Sequence, residues 1–565
     1  MSDVFVAEKN LTRELMQPGS NFELSEVSIK GAVFPIFRHC PENLRDFMGV
    51  ARQYGDDIAV VYQEERWSYR RIFDLADAIG GRLVGLHGVG KGDRVAIAMR
   101  NFPEWLSCFL AIVQIGAVAV PINSWGKAAE LAHGLKDSGA ALAFCDQQRA
   151  DELQSEADLP IVVVRPGDQV RRVHEVSLDH WLEAACPTVN PVELVGEDLV
   201  MIMYSSGTTG VPKGIVWSHR MMVQALFGFK FFGELLVRLE FEKLASWVGK
   251  GFSAVNLLAV PLFHFNGLGA TSLLSLHLGQ KLVMMYKWSP SEALRLIEEE
   301  RVTSIRIAPA MSLELLDNPT LSQTDTSSLL SLGSGGSATP GRLYDLIEQR
   351  LPQVIGSTGY GSTETGIAVS TILGRAYFEY RGCSGPVSPL NQVKIIRADG
   401  SQAPVGEPGE IQVRSFATAS TSYWQRPEET EATFRDGWYH TGDVGYLDTN
   451  GVLYVTDRIK DMVIRGGENI YCVEVENAIY QYPGILEVAA IGVPHEILGE
   501  ELAAVVVVDP NRSMDTDDLR RFLRGRLAGF KVPAHFFVRE VRLPRGATGK
   551  ILKRELRKSV LDAMS

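Results

Sequence analysis

The chain has 565 residues, 45% of them hydrophobic and 22% charged, with a formal net charge of -12. Those proportions belong to a folded globular protein, so disordered, collagen-like and coiled-coil classes are excluded, and the length asks for several packing units. An acidic balance of this size also excludes a general affinity for nucleic acid, which needs a basic face to displace counterions.

The first residues, "MSDVFVAEKNLTREL", are charged and lack the apolar core of a secretory leader, so no export is expected. The most apolar stretch, "LSCFLAIVQIGAVAVPI" from Leu106, is interrupted by Gln114, Gly116 and Pro121. A membrane span needs about 20 apolar residues in a row, so this stretch predicts a buried helix followed by a buried strand. Six cysteines (Cys40, Cys108, Cys145, Cys186, Cys383 and Cys472) form no CxxC pair and no cluster with histidine. Neither a disulfide framework nor a zinc site is expected, and a reducing cytoplasm fits best.

Short β-branched runs ("RVAIAM", "LAFCD", "IVVVR", "LLAVP", "KLVMM", "SIRIAP") alternate with longer helical patterns such as "PSEALRLIEEERV". The alternation predicts an α/β fold with parallel strands and crossover helices. From about Cys383, closely spaced turns and short strands predict an antiparallel, β-barrel-like unit. After Arg458 a small α+β unit runs to the end, with strands "EVAAIGV" and "LAAVVVV" and a helix "TDDLRRFLRGRL". The short charged joint from Asp457 to Lys460 suits a hinge better than a long tether.

Between the apolar "DLVMIMY" and "IVWSHRMMVQALFGF" lies "YSSGTTGVPKG", Tyr204 to Gly214. It fails the strict phosphate-loop pattern, because Pro212 stands where glycine is required and Gly214 follows Lys213 where a hydroxyl is required. It reads either as a surface turn or as a nest of backbone N–H groups for an anion. In the second reading Ser205, Ser206, Thr208 and Thr209 add hydroxyl donors and Lys213 a point charge. "LGSGGSATP" and "STGYGSTETG" are two further glycine-flanked segments near strand ends, suited to a ligand at the carboxyl edge of a parallel sheet. There Gly335 and Gly336 would let backbone approach a flat base, Tyr360 would stack on it, and Glu364 would hold Mg²⁺; turn residues are the plainer alternative. Asp443 in "DGWYHTGDVG" and Arg458 in "DRIKD" could share the hydroxyls of a ribose, or be a turn carboxylate and a surface ion pair. Lys550 follows a glycine turn in "LPRGATGKILKREL".

The segments "YSSGTTGVPKG", "PLFHFNG", "SGGS", "YGSTE", "TGD", "DRIKD", "GGEN" and "PRGATGK" occur in an order and spacing that resembles the adenylate-forming superfamily, which contains acyl-CoA synthetases. The resemblance implies a large N-terminal domain, residues 1–457, and a small mobile C-terminal domain, 458–565, turning at Lys460. ATP would be held by Ser205, Ser206, Gly207, Thr208, Thr209, Gly210 and Lys213, by Gly335, Gly336 and Ser337, by Tyr360, Gly361, Ser362 and Thr363, and by Asp443, Val455 and Arg458. Glu364 would hold Mg²⁺. Lys550, Glu364, Thr209 and His264 would carry the chemistry, and Gly466, Gly467 and Glu468 would form the coenzyme A channel after rotation. The implied reaction joins a carboxylic acid to AMP with loss of pyrophosphate, then passes the acyl group to the thiol of CoA.

Amino-acid-activating relatives place an aspartate where this chain has His264, so an acyl or aryl acid is expected. The Phe-rich "ALFGFKFFGELLVRLEFEKLASWVGKGF" reads as the wall of an alkyl tunnel or as ordinary core helix. The substrate expected is a medium- or long-chain fatty acid. The alternatives are an aryl-CoA ligase and an enzyme loading carrier-protein phosphopantetheine. Cys472 stands where many relatives have proline after "GGENIY" and, with no activating cation close in sequence, is read as structural. A cytoplasmic location is expected; peripheral membrane contact and a homodimer both stay open.

Overall fold

The structure, a computed structural model, describes residues 3–153, 159–167, 175–183, 191–205, 212–366, 368–510, 512, 514–547 and 549–564. Ser206, Gly207, Thr208, Thr209, Gly210 and Cys186 lie outside them.

Two largely parallel sheets make the larger part. One runs in the order Lys213–Ser218, Leu199–Ser205, Val118–Pro121, Arg94–Ala98, Leu142–Asp146, Ile161–Val164, Glu175–Ser177, parallel apart from the first pair. The other runs Ser370–Leu373, Ile355–Tyr360, Ser331–Gly335, Ser304–Ile307, Val255–Leu258, Lys281–Met284, Ile58–Tyr62, Glu65–Ser68, antiparallel only at its two edges. The apolar stretch from Leu106 lies in the helix Pro103–Gln114, buried at every position through Val113, and leads into the buried strand Val118–Pro121. Burial on all sides accounts for its uniform hydrophobicity. No helix among the described residues is long and apolar enough to cross a membrane.

The closely turned region is an antiparallel sheet ordered Gly385–Pro386, Val452–Arg458, Trp438–Leu447, Gly409–Arg414, Gln392–Ile396, with Phe434–Arg435 on Trp438–Leu447. It encloses its own small core of Val369, Ile395, Ile411, Val413, Tyr439 and Leu453, on which Tyr360 and Val455 pack. The smaller part is a five-stranded sheet built on the long antiparallel pair Ile485–His495 and Gly499–Val508. Alternation along those strands splits their side chains between two cores. Val488, Ala490, Ala504 and Val506 meet the helices Cys472–Tyr480 and Thr516–Arg524, while Ala489, Ile491, Ala503 and Val505 meet the helix Lys553–Met564.

Candidate active site

In the antiparallel pair of Trp438–Leu447 with Val452–Arg458, Asp443 stands directly opposite Arg458. Residues so placed are within side-chain reach, and Arg458 Nε lies 3.1 Å from Asp443 Oδ1. Tyr360, the last residue of its parallel strand, donates its hydroxyl to Asp443 Oδ2 at 2.8 Å. Burial, with the Asp443 carboxylate second, pushes the phenol well above its ordinary value, so it remains a donor. Each carboxylate oxygen keeps a second lone pair for a vicinal diol. Val455 packs below with Tyr360 on the same small core. Gly335, Gly336, Gly361, Ser362 and Thr363 line one cavity with Tyr360, whereas Ser337 is exposed just beyond its rim.

The strand Leu199–Ser205 pairs with Lys213–Ser218, Ser205 opposite Lys213, so the glycine-rich segment joins the ends of a two-stranded edge. Ser218 then caps the helix His219–Leu239 by accepting from the Met221 N–H. Lys213 pairs with Glu429 and lies 5.2 Å from the centre of the Tyr423 ring, whose hydroxyl donates to Glu364 Oε1 at 3.2 Å. The expected phosphate lysine and the expected Mg²⁺ carboxylate thus meet through Tyr423. Among the described residues no cation is paired with Glu364, so it remains a hard-oxygen donor of the kind Mg²⁺ takes alongside substrate phosphates.

Lys550 comes from the smaller part yet sits at the Asp443–Arg458 corner. Burial pushes its amine down to about 8, the Arg458 guanidinium acting the same way against Asp461 and Asp443. Among the described residues it has no ion-pair partner. Its loop is shaped by Gly546 N–H donating to Lys550 O at 2.9 Å and by Arg545 Nη1 donating to Gly549 O at 2.8 Å. Gly549, at φ +80, lies so close to the larger part that a Cβ there would meet Met311 Cγ at 3.2 Å and Ala308 Cβ at 3.3 Å. Arg542 pairs with Glu314 across the same junction. On the hinge side, the buried Asp457 carboxylate accepts from the N–H of Cys472, and the Cys472 thiol donates to Asp461 O at 3.1 Å. Burial pushes that thiol far up, in keeping with a structural cysteine. Gly466 and Gly467 form the exposed turn between Val463–Arg465 and Glu468–Ile470, and neither they nor Glu468, the exposed first residue of the second strand, line the cavity.

The cavity has a volume of about 1240 Å³ and runs from Gly335, Gly336 and Gly361 to the helix His219–Leu239. Phe227, Phe229 and Phe232 face it, while Phe231 is core, so the Phe-rich stretch serves as both wall and core. Phe22, from the N-terminal segment, closes it against Phe227 with ring centres 5.4 Å apart. His264 stands at the entry to a π-helical turn, Asn266–Leu273, and desolvation pushes its imidazole down to about 4. At neutral pH it presents an uncharged ring to the cavity. Phe265 lies over Gly269, where a Cβ would stand 2.2 Å from the ring, so any larger residue must displace that ring. The residues missed by motif reading are Tyr423, Glu429 and Arg306. The first two sit in "TSYWQRPEET", where an aromatic pair before an acidic helix start was the available signal.

Residues 47–424 match the AMP-binding enzyme family, and residues 474–550 match the AMP-binding enzyme C-terminal domain. The chain is 37% identical over 493 residues to a feruloyl-CoA synthase of an Amycolatopsis species, covering 86% of this chain and 92% of that protein. It is 34% identical over 495 residues to the long-chain-fatty-acid–CoA ligase FadD13 of Mycobacterium tuberculosis, covering 87% and 93%. Its fold superposes on the anthranilate CoA ligase AuaEII in complex with anthranoyl-AMP with a TM-score of 0.80 at 25% identity, covering 93% and 98%. A family match across both parts defines an adenylate-forming enzyme. The chain belongs to the AMP-binding enzyme family, in its acyl-CoA ligase branch.

Proposed function

We propose that this ligase activates a medium- or long-chain fatty acid, with Lys550 as the group that draws the substrate carboxylate onto the α-phosphate of ATP. The observation that carries the proposal is the Lys550 ammonium: it is desolvated, has no ion-pair partner among the described residues, and sits beside Asp443 and Arg458. A carboxylate attacking a phosphate brings two anions together, so a preorganised cation lowers the barrier most where charge crowds. Pyrophosphate leaves toward Lys213 and the hydroxyl-rich segment that begins at Ser205. Glu364 would hold Mg²⁺, which supplies charge neutralisation at the phosphates when bound. Asp443 and Arg458 grip the ribose, and Tyr360 fixes Asp443 while bordering the base. We divide the chain at 457 and 458, with Lys460 the pivot that withdraws Lys550 and brings Gly466, Gly467 and Glu468 to the CoA thiol. The thiolate then attacks the acyl carbon and AMP departs.

Support for an alkyl acid comes from the length of the cavity along Phe227, Phe229 and Phe232 and from the likeness to FadD13. An aryl acid is the second reading, favoured by Phe229 and Phe265, which both line the cavity with ring centres 6.1 Å apart, and by the likeness to feruloyl-CoA synthase. The free cysteines among the described residues suit a reducing cytoplasm. The test is pyrophosphate release across alkyl and aryl acids, followed by thioester formation with CoA. Release with decanoic acid but with no aryl acid supports the first reading, the reverse supports the second, and acyl transfer only to a carrier protein overturns the choice of acceptor.

A further inference from the structure

We infer that Arg306 selects acids that carry an oxygen acceptor away from the reacting carboxylate, such as a hydroxyl, a carbonyl or a second carboxylate. The inference rests on the ligase reading above and narrows its acid. Arg306 lies on the strand Ser304–Ile307, in one row across the parallel sheet with Gly333 and Ser357. Period-two alternation sends Ile305 and Ile307 into the core and turns Arg306 to the other face. That face looks into the acyl cavity, which Arg306, Gly333 and Ser357 all line. Gly333 makes the room: a Cβ there would stand 3.4 Å from Arg306 Nε and 3.2 Å from Ser357 Oγ.

A guanidinium offers five N–H donors and stays charged. The one hydrogen bond Arg306 makes among the described residues is from Nη1 to Ala270 O at 3.0 Å. Its guanidinium lies over Phe229, 5.2 Å from the ring centre, and among the described residues no carboxylate pairs with it. Burial pushes its pKa below the ordinary value. A plain alkyl chain filling the cavity would strip water from the remaining donors and return nothing, whereas an acceptor oxygen satisfies them. Fully buried arginines are almost always paired; this one is part-buried and lines the cavity assigned to the acid.

The test compares matched acids in kcat/KM for pyrophosphate release: decanoic against 10-hydroxydecanoic and decanedioic acid, and cinnamic against 4-hydroxycinnamic acid. In the wild-type protein at least one oxygenated acid is expected to lead its plain partner by about 10- to 100-fold, the worth of a hydrogen bond to a charged group. Arg306→Leu is expected to bring that ratio to about one by losing the oxygenated acid, and Arg306→Lys to restore part of it; a merely structural role would lower both acids together. Equal use of every pair by the wild type, or a preference that survives in Arg306→Leu, overturns the inference. Thermal-shift binding of the same acids reads the preference without turnover. Selective, Arg306-dependent binding with no pyrophosphate released would keep Arg306 and strike the ligase reading, while binding without selectivity would strike Arg306 whatever the turnover.

Discussion

Lys550 is the residue on which the proposed chemistry turns. Lys550→Ala is expected to slow acyl-AMP formation by about 10²- to 10³-fold, as when one preorganised charge-stabilising donor is removed. Thioester formation from supplied acyl-AMP should largely survive, and equal loss in both steps would remove Lys550 from the first. The same amine sets a pH limb. With its pKa pushed down to about 8 by burial, the protonated form is lost from the unliganded protein as pH rises through that value. Since kcat/KM reports the free enzyme, adenylation should fall on the alkaline side of about pH 8, and Lys550→Arg, charged throughout, should lack this limb. A flat profile in the wild type would contradict the assignment. In sequence, Lys550 stands out only through the ordered set of motifs, because an isolated lysine after a glycine turn is ordinarily a solvated charge. Arg306 was harder: "SIRIAP" has the alternation of a half-exposed strand, and spacing alone does not tell solvent from a cavity roofed by a helix some 70 residues earlier in the chain.

Among the elements, the helix His219–Leu239 organises the acyl side. Its Gln224 holds Phe37 at two points, accepting from the Phe37 N–H at 2.8 Å and donating to the Phe37 carbonyl at 3.0 Å. Phe37 in turn packs with Phe22, Phe227 and Phe231. Phe37→Ala should therefore cost about 3–5 kcal/mol of stability, read by urea unfolding, and should loosen the cavity wall through Phe22 and Phe227. The π-helical turn gives a sharper test. Gly269→Ala places a methyl group against the Phe265 ring, so the ring must move; the preference among acids should change while the KM for ATP stays put. If ATP and acid respond alike, the turn shapes the whole fold rather than the acyl wall. Strands and helices were legible from the alternation of apolar runs, including the strand-to-strand passage from Ser205 to Lys213. The π turn was not, because a shifted hydrogen-bond register leaves no mark in composition, and "PLFHFNG" showed only that something happens near His264.

For the molecule as a whole, the two parts meet at a fitted junction, with Gly549 seated against Ala308 and Met311 and Arg542 paired to Glu314. Gly549→Leu would be strained at φ +80 and would collide with both neighbours, so the seated arrangement should be lost. The expected signature matches that of Lys550→Ala, with adenylation down and thioester formation from acyl-AMP retained; normal adenylation in this variant would mean that the seating is incidental. The change of texture near Arg458 announced a second unit, but how it sits depends on contacts across more than 200 residues, which no local pattern carries. One pairing in the larger part has an outcome of its own. Lys213 is held by Glu429, which belongs to the short helix Pro427–Thr433, and that helix buries none of its residues. If nucleotide phosphates claim Lys213, as proposed, Glu429 keeps only Arg426, 3.6 Å away, among the described residues, and the helix loses one of its anchors. Deuterium should therefore enter its amides faster in the ATP-saturated protein than in the empty one, a local fraying at the very moment the surrounding pocket tightens.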